Sequence, residues 1–106
     1  LLNSEGVRVA ASMQSAEHQI LSPATYTFLS VETYALADQQ GSRAALEFAD
    51  EAIASLKLRF PGYFKGTASG NNVADAWPLL LARNTVAENA AKIDAARAAR
   101  LAHPAP

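Results

Sequence analysis

The residues able to do chemistry are few and scattered. The chain has two histidines and no cysteine. A disulfide framework, a thiolate metal site and a cysteine nucleophile are therefore excluded. His18 and His103 are far apart, and neither has a carboxylate or histidine at the i+3 or i+4 position that a helical metal site requires. No serine stands in a Gly-x-Ser-x-Gly elbow. The segment Gly66-Thr-Ala-Ser-Gly70 precedes a predicted helix and could offer backbone N–H groups to an anion, but it lacks the P-loop lysine spacing and a preceding strand. No catalytic residue, metal or cofactor is assigned, and the chain is read as non-enzymatic.

The aromatic residues are more informative than the titratable ones. Tyr26, Tyr34, Phe48, Phe60, Tyr63, Phe64 and Trp77 exceed what an alanine-lined core needs. At helical spacing such residues form core, or they line a small-molecule pocket. The site predicted from them is the loop Pro61–Gly70 where it meets the following helix. Tyr63, Phe64 and Trp77 would supply an apolar wall, Lys65 would pair with an anionic ligand group, and Tyr34 is a further candidate.

These residues must be positioned by helices. Of 106 residues, 24 are alanine, the strongest helix former but a small contributor of buried area. Leu46, Ala49, Ile53, Leu56 and Phe60 recur at steps of three and four and define a helix from Ser42 to Phe60, stopped by Pro61-Gly62. Before it, residues 3 to 21 form a predicted helix with the stripe Gly6, Val9, Met13, Ala16 and Ile20. Ser22-Pro23 suits an N-cap followed by a first helical residue and opens a second helix to about Gln40. In that helix Phe28, Val31 and Ala35 lie on one flank and Leu29 and Leu36 on the next, which predicts burial on both. The β-branched and aromatic run at 25–31 makes a strand the competing local expectation.

The last helix is expected from Asn71 or Asn72 to about Leu101, striped by Leu79, Ala82, Val86, Ala90 and Ile93. Pro78 should either kink it or stand at the start of its main part. The expected fold is all-α: an antiparallel up-down four-helix bundle whose last helix is longest and kinked at Pro78. Residues 1–102 form a single domain and 103–106 a tail or linker.

The net charge is −1, which argues against nucleic acid as a partner because phosphate binding wants a basic face. Arg97 and Arg100 are a local basic pair, expected to complement a helix C-terminus. No apolar run reaches the ~20 residues that span a bilayer.

Three short segments resemble known families. Lys65-Gly66-Thr67-Ala68 resembles the lysine–glycine segment of histidine phosphotransfer domains, but Gly62 stands where the phospho-accepting histidine would fall. Pro61-Gly62, Lys65-Gly66 and Asp75-Ala76-Trp77 resemble the central segment of acyl-CoA-binding proteins, which has no counterpart to the helix from Ser42 to Phe60. Arg97-Ala-Ala-Arg-Leu-Ala-His103 resembles the arginine-to-histidine spacing of HEPN ribonucleases, with Ala98 in place of the polar residue that follows the arginine. In length and helix count the whole chain is similar to the extracytoplasmic four-helix sensor domains of bacterial receptors. That similarity implies a ligand-sensing module of a membrane receptor, binding a small molecule or a partner helix and meeting the membrane only through flanking segments. An extracytoplasmic location goes with it. The alternatives are a structural or assembly subunit, for instance a homodimer packed through alanine-rich helices, and a HEPN-like ribonuclease acting through Arg97 and His103.

Overall fold

A computed structural model describes residues 21–66 and 73–103 of the chain. The predicted helix over residues 3 to 21 lies outside the described residues except for Leu21, as do the capping positions Asn71 and Asn72 and the end of the Pro61–Gly70 loop. The described part is 83% helical, so the strand alternative at 25–31 is set aside. Four α-helices follow one another: α1 (Ala24–Gln40), α2 (Ser42–Arg59), α3 (Trp77–Glu88) and α4 (Ala90–Ala102), with a 3₁₀ turn at Pro61–Phe64 after α2.

The start of α1 matches its sequence signal. Pro23 already has helical dihedrals, and Ser22 Oγ accepts the Ala24 N–H at 3.2 Å. Along α1 the buried side chains are Thr25, Tyr26, Leu29, Ser30, Glu32, Thr33, Leu36 and Ala37, the broad face centred on Leu29 and Thr33. The Thr33 hydroxyl is satisfied by donating to the Leu29 carbonyl at 2.8 Å. The other flank behaves differently from expectation: Phe28 and Val31 remain 41% and 58% exposed. Two apolar flanks were expected to mean burial on both, but α2 and α3 reach only the Leu29–Leu36 side.

The whole connection from α1 to α2 is Gly41. Its φ of 101° and ψ of 167° lie in a region that side-chain-bearing residues rarely adopt, and its N–H donates to the Ala37 carbonyl at 3.1 Å. A one-residue joint leaves no neighbour to absorb the change. Gly41→Ala is therefore expected to cost about 1–3 kcal/mol of unfolding free energy, measurable by urea denaturation.

On α2 the buried face is centred on Ala45, Phe48, Ala49, Ala52 and Leu56. Leu46, Ile53 and Phe60 sit half-buried at its edge. The small alanines at the centre let helices approach closely, so the larger residues pack around them. The helices α1, α2 and α3 pack on one another and share one core with Leu79 and Val86 of α3.

The last predicted helix is two helices. Asn89 departs from helical dihedrals, with φ −110° and ψ 15°; its side-chain amide donates to the Thr85 carbonyl at 2.8 Å beside its own N–H at 3.0 Å, so the backbone bonds carry on across the break. The two pieces have 12 and 13 residues, so the longest described helix is α2 with 18. The expectation of a longest last helix fails because an asparagine, not a proline, ends the segment. Pro78 is the second residue of α3, within the first turn, where a missing N–H removes no helical bond. The predicted stripe nevertheless runs across the break: Leu79, Ala82 and Val86 are buried, and Ala90 and Ile93 half-buried. No residue of α4 is fully buried.

Candidate functional site

The predicted site residues fall into two places. At one end of the helical core, the 3₁₀ turn directs Tyr63 and Phe64 inward against the buried ring of Tyr26. The ring centroids lie 5.7 and 5.6 Å from Tyr26, both edge-on, the favoured geometry for aromatic pairs. Phe60 stacks on Tyr63 with centroids 6.3 Å apart. The Tyr63 hydroxyl donates to the Leu21 carbonyl, and the Tyr63 carbonyl accepts the Ala76 N–H at 2.8 Å. This aromatic knot holds together the entry to α1, the exit of α2 and the start of α3. Trp77, half-buried, is the first residue of α3 and follows Ala76 directly, whereas Lys65 is exposed. Tyr63 and Phe64 thus pack their rings against Tyr26.

Tyr26 carries an unusual group. Its hydroxyl is buried with no hydrogen-bond partner among the described residues. Burial, and then the neighbouring Tyr63 and Asp75, hold the phenol well above its ordinary pKa, so it stays neutral.

Tyr34 is elsewhere. It stands eight residues beyond Tyr26, about 12 Å along α1, and is 43% exposed. There α1 and α4 form an open groove of about 240 Å³, lined by Tyr34, Ala37 and Asp38 from α1 and Ile93, Ala96 and Arg100 from α4. Its walls are mainly apolar, and the charged pair Arg100–Asp38, at 2.9 Å, sits on the rim.

What holds α4 beside α1 is a set of polar contacts to helix ends. The Asp94 carboxylate accepts the Ser42 N–H at 2.8 Å and the Ser42 hydroxyl at 2.6 Å, so it caps the N-terminus of α2 from another helix. Ser42 is the first helical residue, and the cap comes from Asp94. At the same corner Arg97 Nε donates to the Gln39 carbonyl at 3.1 Å, and an Arg100 terminal nitrogen to the Asp38 carbonyl at 2.8 Å. The two arginines do complement a helix C-terminus, but it is that of α1 rather than their own. One face of α4 thus supplies an anion to a positive helix end and cations to a negative one. The spacing Asp94, Arg97, Arg100 was readable in the sequence; the helix ends it serves were not.

These bonds hold the Asp94 carboxyl below its ordinary carboxylate range, the Ser42 hydroxyl contributing most, then the Ser42 N–H, with the Arg97 charge a smaller aid. Asp94 thus releases its proton more readily folded than unfolded. It stabilises the fold above the ordinary carboxylate pKa, and that contribution disappears as the pH falls through the lowered folded value. Asp94→Asn is therefore expected to lower the melting temperature at pH 7, with the gap to the unsubstituted protein closing on acidification below about pH 4; paired melts across pH check this.

Arg97 is engaged at Gln39, while His103 lies at the exposed end of α4. Among the described residues no cluster of three or more His, Asp or Glu could hold a metal ion, and no helix is long and apolar enough to cross a membrane. The fold defines a class, an all-helical domain, and the comparisons go no further: no protein-family model, no curated protein and no solved structure matches the chain.

Proposed function

We propose that the chain is a non-enzymatic helical-bundle module that senses a small molecule in the α1–α4 groove. Its finer arrangement is an up-down antiparallel bundle. The full proposal is the ligand-sensing domain of a bacterial membrane receptor, in an extracytoplasmic setting, with the membrane engaged only through segments outside this chain. The observation that carries the ligand reading is the groove itself. An apolar wall of Tyr34, Ala37, Ile93 and Ala96 meets a guanidinium, that of Arg100. Arg100 already gives one terminal nitrogen to the Asp38 carbonyl and carboxylate, and its remaining guanidinium donors suit a carboxylate, so a small apolar carboxylate fits best. The volume, about 240 Å³, is below the range of drug-sized pockets, which favours a compact ligand. Because α4 buries no residue fully and is held by polar contacts, a ligand wedged against it can shift it at little packing cost. The loop residues Tyr63, Phe64, Lys65 and Trp77 remain a second candidate wall at the other end of the core. An NMR titration with benzoate, hexanoate and indole-3-acetate tests the assignment. Shifts confined to Tyr34, Ala37, Ile93 and Ala96 support it; shifts at Tyr63, Phe64 and Trp77 would move the site to the loop.

A second reading is an assembly subunit. It is favoured by the outer face of α4, where Ala91, Ala95, Ala98, Ala99 and Ala102 are all exposed and Leu101 is 66% exposed. It predicts a concentration-dependent dimer that Leu101→Glu abolishes, read by sedimentation.

A further inference from the structure

The groove between α1 and α4 is charged with both signs at one place. Tyr34, Ala37 and Asp38 stand at i, i+3 and i+4 on α1, and Ile93, Ala96 and Arg100 at i, i+3 and i+7 on α4, so each helix turns one face to it. Asp38 and Arg100 are the two charged residues of that lining, joined through Oδ1 and Nη2 at 2.9 Å. The neighbouring charges are committed elsewhere. Arg97 donates to the Gln39 carbonyl, and the Asp94 carboxylate accepts from Ser42. The rim is therefore dipolar and carries no net charge. A plain carboxylate that reaches the guanidinium also meets the Asp38 carboxylate, a like charge that opposes it.

We infer that the groove takes a zwitterion, an apolar α-amino acid: its carboxylate on Arg100, its ammonium on Asp38 and its side chain against Tyr34, Ala37, Ile93 and Ala96. This rests on the groove reading above and narrows it from apolar carboxylates in general. An α-amino acid carries its two charged groups on one carbon, so they stand side by side, as Arg100 Nη2 and Asp38 Oδ1 do. Laid head to tail against that pair, each ligand charge meets its opposite and is kept from its like. Both residues have capacity for this. A guanidinium has five donors, and this one is joined to Asp38 through a single nitrogen; a carboxylate has two acceptor oxygens.

The pair is also reachable and weakly held. The Arg100 and Asp38 side chains are 52% and 70% exposed, so a ligand enters without opening the core, and an ion pair so exposed yields readily to a competing one. Arg100 does not depend on the Asp38 side chain for its place, because the same Nη2 donates to the Asp38 backbone carbonyl at 2.8 Å. The volume of about 240 Å³ suits a single amino acid rather than a peptide.

Three compounds with one carbon skeleton separate the charges: leucine, 4-methylpentanoate, which lacks the ammonium, and 3-methylbutan-1-amine, which lacks the carboxylate. Each is titrated into the full chain, with the NMR shifts of Tyr34, Ala37, Ile93 and Ala96 as the readout. Leucine is expected to bind roughly tenfold more tightly than either analogue, the worth of one charge-assisted contact. Asp38→Asn keeps the backbone carbonyl that holds Arg100. It is expected to erase the preference for leucine over 4-methylpentanoate, by weakening the first and strengthening the second. 4-Methylpentanoate binding as tightly as leucine would overturn the inference, as would a leucine preference that survives Asp38→Asn. Benzoate serves as the control that separates the two levels. Groove shifts with benzoate and none with leucine would sink the zwitterion and leave the groove; no groove shifts with any of the four compounds would remove both.

Discussion

Replacing Tyr26 by alanine is expected to remove about 3–5 kcal/mol of stability, a large share of what a small domain has. Tyr26 is fully buried, and its ring is the common neighbour of Tyr63 and Phe64. Its loss opens a cavity between α1 and the 3₁₀ turn and releases both edge-on pairs. Tyr26→Phe should behave in the opposite way. It keeps the ring and removes a buried hydroxyl that has no partner among the described residues, so stability is expected to be unchanged or raised by up to about 1 kcal/mol. Urea unfolding of the two variants separates these outcomes. A Tyr26→Phe loss as large as that of Tyr26→Ala would mean the hydroxyl is bonded after all.

The second large effect is a contrast within α2. Leu56 has no exposed surface, whereas Leu58, two residues on, is 82% exposed. A helix turns about 200° in two residues, so the pair points to opposite sides. Leu56→Ala is expected to cost about 2–5 kcal/mol through lost transfer energy and a residual cavity, and Leu58→Ala to stay within about 0.5 kcal/mol. Equal effects would mean that the buried face of α2 is misassigned, since the comparison holds residue type, helix and substitution constant.

Why some features were readable in the sequence and others not follows from the range of the interactions. Helix starts and stops are local. Ser22-Pro23, Gly41 and Pro61-Gly62 mark boundaries through backbone chemistry that needs no partner. The break at Asn89 is also local, but an asparagine inside an otherwise strong helical pattern is outvoted by its neighbours, and its departure shows only in its dihedrals. The exposed Phe28–Val31 flank could not be foreseen, because periodicity states which residues share a face and not whether another element covers it. The cap that Asp94 of α4 places on α2 is the extreme case. Asp94 and Ser42 are far apart in the chain, and nothing in either segment announces that a carboxylate on α4 will cap α2. Of the predicted site residues, Tyr34 came to line a groove because Ile93, Ala96 and Arg100 stand across from it. Tyr63 and Phe64 were singled out for aromatic character, which served packing against Tyr26 at least as well as binding.

These observations converge on α4 as the element through which binding would be felt. It closes one side of the groove, buries none of its residues fully, and is held by charges at the ends of α1 and α2. The most direct measurement is amide hydrogen exchange resolved by residue, with and without saturating benzoate. The proposal predicts that α4 exchanges faster than α1 and α2 in the free protein, and that benzoate changes protection in α4 and at Tyr34 while leaving Leu29 and Leu56 unaffected. Protection in α4 equal to that of the core helices, unchanged by benzoate, hexanoate or indole-3-acetate, would contradict it.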